Sequence, residues 1–144
     1  MIEMLVILLR TAGTGLILLA FLHIPISRKL LWAEDAKKMS PVNASVFHVH
    51  TFFICLVLVM MGLPSLAAPH IFLERSAAGM WLCASFAAFW LIRLYFQWLV
   101  YHPSLWENKP IETAVHGCFT VIWTGLTALY AVCGLLQAGW LTPR

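Results

Sequence analysis

Four apolar runs, at about 4–26, 44–68, 76–101 and 111–140, take up most of this sequence, and this feature limits the fold more than any other. A hydrocarbon core about 30 Å thick is crossed by roughly 20 apolar residues of helix at 1.5 Å per residue. Each run is that long or longer, so each is expected to be a transmembrane helix. The polar remainder is too small to cover a water-facing surface: only 10% of the residues are charged, against about a quarter in a soluble domain. The expected fold class is therefore an all-α integral membrane protein. Short connections between the later runs favour an antiparallel four-transmembrane-helix bundle, a single membrane domain over residues 1–144. The lipid bilayer is its first partner. A net charge of +3, spread along the chain, does not point to nucleic acid.

The ends of the runs carry local signals. Basic residues follow the first run rather than precede it, unlike a cleaved signal peptide, so this run is expected to persist as a helix. Pro25 is expected to end it. The stretch from Ser27 to Asn43 is polar and holds Arg28, Lys29, Glu34, Asp35, Lys37 and Lys38. Ser40 and Pro41, with Asn43, predict a turn into a helix cap. Pro64 is expected to kink or loosen the end of the second helix, and His102-Pro103 closes the third. Arg28, Lys29, Lys37, Lys38 and Lys109 fall on one side of a four-span topology, with only Arg75 and Arg144 outside the core on the other. The positive-inside rule then puts the basic loops in the cytoplasm and both termini outside it, in what is expected to be a bacterial inner membrane.

The fourth run carries a polar stripe. At about 100° per residue, Glu112, His116, Thr120, Trp123, Thr127 and Tyr130 fall along one narrow line of the helix. A carboxylate and an imidazole one turn apart must face protein, water or a bound group, because facing hydrocarbon costs several kcal/mol. The same topology brings five of the six histidines toward one half of the bundle, with His70 alone at the other end. His23 comes from the first helix, His48 and His50 from the second, His102 from the end of the third and His116 from the fourth. Arg93 and Gln97, one turn apart on the third helix, are expected to face inward at that level, whereas Phe89 and Phe96 are expected to meet lipid or neighbouring helices.

Structural roles are open to several of these residues. His102 beside Pro103 suits an interfacial cap. His23 could hydrogen-bond a carbonyl freed by Pro25. Arg93 could pair with Glu112, and Arg10 can snorkel to the interface. Tyr101, Trp106 and other aromatics near the run ends suit an interfacial belt. The cysteines Cys55, Cys83, Cys118 and Cys133 lie in apolar runs without CxxC spacing and read as small buried hydrophobes.

A b-type haem is the leading chemical reading. It needs imidazoles from facing helices, an apolar slot lined by aromatics, and a cation for its propionates. His116 with His50 or His48 would supply the axial ligands, and Arg93 would receive a propionate. Gly117, Thr120 and Thr124 would leave room beside the ligand. His48 and His50 lie about 200° apart on a helix and cannot both point inward; His50, the deeper, is favoured. Such a protein would act in electron transfer or as an oxidoreductase on a quinone or other lipophilic partner. The second reading is a non-haem iron or zinc site using His116, His50, Glu112 and His23. The third is a cofactor-free accessory or transport subunit of a larger membrane complex or homo-oligomer.

Overall fold

The structure, a computed structural model, describes residues 1–141 and is all-α. Four helices are long and apolar enough to cross a membrane: α1 (Ile2–Lys29), α3 (Pro41–Ala67), α4 (Ala77–Leu99) and α5 (Pro110–Gln137). A short helix, α2 (Trp32–Ala36), lies in the polar stretch between α1 and α3. Single turns of 3-10 helix at Pro69–Phe72 and Pro103–Leu105 precede α4 and α5. Large apolar side chains such as Leu99, Ile111 and Val121 remain exposed on the long helices. Such a surface is stable against hydrocarbon rather than water. Arg144, counted above with the outer charges, lies outside the described residues.

The helices begin where the sequence signals put them. Ser40 Oγ accepts the N–H of Asn43 at 3.3 Å, with Pro41 in the first turn. Ser76 Oγ accepts the N–H of Gly79 at 2.9 Å. Both hydroxyls satisfy an amide that has no carbonyl partner within its own helix. His102 also caps, accepting the N–H of Ser104 through Nδ1.

Pro25 departs from expectation. It sits inside α1, which continues to Lys29. A proline removes one amide donor and crowds the carbonyl four residues back. Ending the helix there would expose several more backbone groups, so continuing is cheaper in an apolar setting. In the same turn Ser27 donates its hydroxyl to the Ile24 carbonyl at 2.8 Å. Pro64 likewise lies inside α3, which runs on to Ala67.

The described chain forms two compact units: Leu9–Pro69, and Met1–Leu8 with the chain from His70 onward. In the first, α1 and α3 run antiparallel and touch backbone to backbone. A Cβ added to Gly13 would lie 2.6 Å from the Gly62 carbonyl oxygen, and one added to Gly62 would lie 2.8 Å from that of Gly13. Without hydrogens in place of side chains here, the helices could not approach this closely.

In the second unit α4 and α5 form an antiparallel hairpin with a layered interface. At one end the Gln137 side chain ties down the loop before α4, accepting the Ser76 N–H at 2.8 Å and donating to the Ile71 carbonyl at 3.0 Å. Next, Phe72, Phe86 and Tyr130 meet with ring centroids 5.0–5.6 Å apart. Beyond them Trp90 and Trp123 stack at 4.8 Å. The indole nitrogens of both are buried with no hydrogen-bond partner among the described residues. The last layer is polar.

Candidate functional site

The stripe on α5 faces α4. Trp123 and Tyr130 are buried, His116, Thr120 and Thr127 are half-buried, and only Glu112, near the helix start, is exposed. The two threonines return their hydroxyls to carbonyls one turn back, His116 O and Trp123 O, at 2.9 and 2.8 Å. Their polarity is thus spent within the helix.

The remaining polar groups form a chain. Arg93 donates from Nη1 to Gln97 Oε1 at 3.2 Å, and the Gln97 amide nitrogen lies 2.8 Å from His116 Nδ1. Gln97 is buried and Arg93 half-buried, so both face inward as expected, while Phe89 and Phe96 are exposed. A guanidinium can only donate, so the amide atom facing it must be the oxygen. The amide nitrogen then donates to His116, whose Nδ1 must be the bare, accepting nitrogen. With Nδ1 accepting, the ring proton of His116 is assigned to Nε2. Trp106 stacks on its ring at 3.9 Å and 17°. The Arg93 guanidinium also lies over the rings of Tyr101 and Trp123, at 5.5 and 5.3 Å.

The Arg93–Glu112 pair, open as an alternative from the sequence, is not among the ion pairs of the described residues. Among the described residues the ion pairs are Lys37–Glu34 and Lys38–Asp35, both exposed, and neither involves Arg93. Gln97 reaches Arg93 from one turn away on the same helix, and Glu112 points outward instead.

A second arrangement lies in the Leu9–Pro69 unit. A groove of about 610 Å³ is lined by His23, Arg28 and Trp32 on one side and Phe47, His48 and Thr51 on the other. Ala20, Phe21, Phe52 and Val59 complete its largely apolar wall. The rings of His23, Trp32, Phe47 and His48 follow one another edge to face, with centroids 5.6–6.4 Å apart. His23 Nδ1 lies 2.8 Å from the Leu19 carbonyl oxygen, an intrahelical bond rather than one to the Phe21 carbonyl that Pro25 cannot reach. A carbonyl only accepts, so Nδ1 carries a proton, and in the neutral ring Nε2 then holds the lone pair.

Of the paired histidines on α3, His48 lines this groove, while His50 does not and bonds the Val46 carbonyl through Nδ1 at 2.8 Å. The groove is thus lined by His48, not by His50, the residue preferred above. Depth favoured it, but the face of α3 turned to the groove is set by His48, Thr51, Cys55 and Val59 at helical spacing.

The structure thus joins Arg93 to His116 through Gln97, and sets His23 and His48 on one groove. Glu112 and His50 belong to neither arrangement. Among the described residues no three His, Cys, Asp or Glu side chains gather into a set that could hold a metal ion. Sequence reasoning missed Gln97 as the link, although its place four residues after Arg93 was the available signal. It read Trp106 and Tyr101 only as interfacial aromatics, and passed over Arg28, Trp32 and Phe47 as parts of a site. Comparison of the chain with protein families, with curated proteins and with solved structures finds no match.

Proposed function

We propose that this chain is a membrane redox protein holding a haem b in the groove of α1 and α3. His23 is an axial ligand, and electrons pass to or from a quinone or other lipophilic partner. The observation that carries the reading is the hydrogen bond from His23 Nδ1 to the Leu19 carbonyl, on the wall of an apolar groove. It holds the ring by one nitrogen, so that in the neutral ring Nε2 is the nitrogen that can ligate. A ligating imidazole is ordinarily held in this way by its other nitrogen. The volume of about 610 Å³ lies within the range of cofactor sites. His48 supports the reading as a second imidazole on the facing helix, and Arg28 as the cation for a propionate. When bound, the iron would carry one electron at a time between its ferric and ferrous states.

The reading moves the ligands from His116 and His50 to His23 and His48. His116 carries its proton on Nε2, and freeing that nitrogen would require turning the Gln97 amide so that its N–H groups met those of Arg93. We further propose that Arg28, Lys29, Lys37, Lys38 and Lys109 face the cytoplasm across a bacterial inner membrane, with both termini outside. A reporter fused to the C-terminus should then be active only outside the cytoplasm.

The visible spectrum of the purified protein is the central test. A Soret band is expected, lost in His23→Ala, weakened or shifted in His48→Ala, and unchanged in His50→Ala and His116→Ala. A band that survives His23→Ala but not His116→Ala would overturn the ligand assignment. Bound iron or zinc without a Soret band would replace the haem by a non-haem metal site, and a protein with neither would be the cofactor-free accessory subunit.

A further inference from the structure

We propose that Arg93 and His116 form a receptor for an anionic oxygen group, a phosphate or a carboxylate, carried by a membrane amphiphile. The proposal is independent of the haem reading, since no residue is shared with the groove.

Three observations carry it. First, the contacts of the Arg93 guanidinium among the described residues are with neutral groups: the Gln97 amide oxygen and the ring faces of Tyr101 and Trp123. Among the described residues no carboxylate lies within ion-pair distance of it. A half-buried cation on a membrane-length helix calls for a countercharge, and aromatic faces supply only part of it. One N–H of the guanidinium is engaged by Gln97, which leaves the rest of a fork suited to phosphate or carboxylate.

Second, the Arg93–Gln97 bond fixes what His116 can offer. With Gln97 donating to Nδ1, the free edge of the imidazole presents Nε2–H, a donor. His116 thus adds a hydrogen-bond donor beside the Arg93 cation. Third, Trp106 covers one face of the His116 ring, and Tyr101 lies beside Arg93. Both belong to the segment between α4 and α5, where a lipid-soluble molecule places its polar head. A cation and an N–H donor together select an anionic oxygen over a neutral carbonyl. Arg10 provides the contrast. It lies on α1, exposed and unframed by such partners.

The test uses the full-length protein, stripped of lipid in detergent and titrated with dioleoylphosphatidylglycerol, oleate, monoolein and a neutral ubiquinone, with bound molecules counted by native mass spectrometry. One anionic molecule per chain should be retained after the neutral ones have left. Arg93→Gln and His116→Ala should each weaken its binding about tenfold or more, while Arg10→Gln leaves it unchanged. Retention of the phospholipid alone assigns a phosphate, and retention of oleate alone assigns a carboxylate. Equal retention of monoolein or ubiquinone, or anion binding indifferent to Arg93→Gln, would overturn the proposal. If that variant fails to fold, ¹⁵N spectra of the wild-type imidazole decide: the His116 Nε2–H signal should shift on adding the anion, and an unmoved signal would overturn the proposal.

Discussion

His23 and His116 are both half-buried imidazoles on membrane-length helices, yet their Nδ1 atoms face partners of opposite character. His23 meets a carbonyl, which can only accept, so its Nδ1 is the donor and a neutral ring is bare at Nε2. His116 meets an amide N–H whose direction is imposed by Arg93, and so keeps a protonated Nε2. One presents a lone pair to an apolar groove, the other a hydrogen-bond donor beside a cation. The residue type is the same in both units; the neighbour of the other nitrogen decides what it can do.

The largest effect should come from the helix contact that precedes the groove. Gly62→Ala sets a methyl group 2.8 Å from the Gly13 carbonyl oxygen and the Ile17 side chain. A destabilisation of about 1–3 kcal/mol is expected, from forced separation of α1 and α3, together with loss of whatever the groove binds. Gly117→Ala, on α5, meets open space and should be neutral or gain up to about 1 kcal/mol from helix propensity. Unfolding in detergent compares the two, and equal losses would mean that the backbone contact does not hold α1 to α3.

Changes at Gln97 test the tautomer contrast itself. Gln97→Leu should cost about 1–3 kcal/mol, since it leaves half-buried polar groups of Arg93 and His116 without the amide between them. Gln97→Glu should retain the link to Arg93 while presenting an acceptor to His116. Nδ1 of His116 then gains a proton and becomes a donor, as Nδ1 of His23 is. Imidazole ¹⁵N spectra read the change directly, and an Nδ1 that stays bare in the glutamate variant would show that Gln97 does not set it.

The smallest effect is a predicted near-absence. Arg93 and Glu112 form no ion pair, so the double change Arg93→Leu with Glu112→Leu should equal the sum of the single changes to within about 0.5 kcal/mol. A larger coupling in a double-mutant cycle would restore the pair that the sequence suggested.

Much of the fold was legible because its signals are local. Ser40 and Ser76 cap helices whose apolar runs follow directly, and length with hydropathy was enough to identify α1, α3, α4 and α5. Helical periodicity also gave the inward faces of Arg93 and Gln97. Pro25 was misread because its local preference competes with the cost of freeing backbone groups in an apolar setting, and that cost depends on surroundings rather than on the proline.

The sites were less legible because hydrogen bonds have direction and periodicity does not convey it. Spacing put His48 and His50 on different sides of α3, but only the approach of α1 selects the side with His48. It put Glu112 and His116 one turn apart, but the Gln97 amide, nineteen positions away from His116, takes the imidazole nitrogen instead.

By itself, then, the sequence determined four helices that must satisfy their own backbones in lipid, and which side chains could not be left facing it. Those properties follow from residue transfer energies and the helical repeat, and they need no knowledge of neighbours. Tertiary structure alone decided that α5 turns its stripe to α4, that Gly13 and Gly62 let two backbones touch beside an open groove, and that the Gln97 amide meets Nδ1 of His116. A proton follows the donor or acceptor placed opposite it, and that partner can come from any distance along the chain.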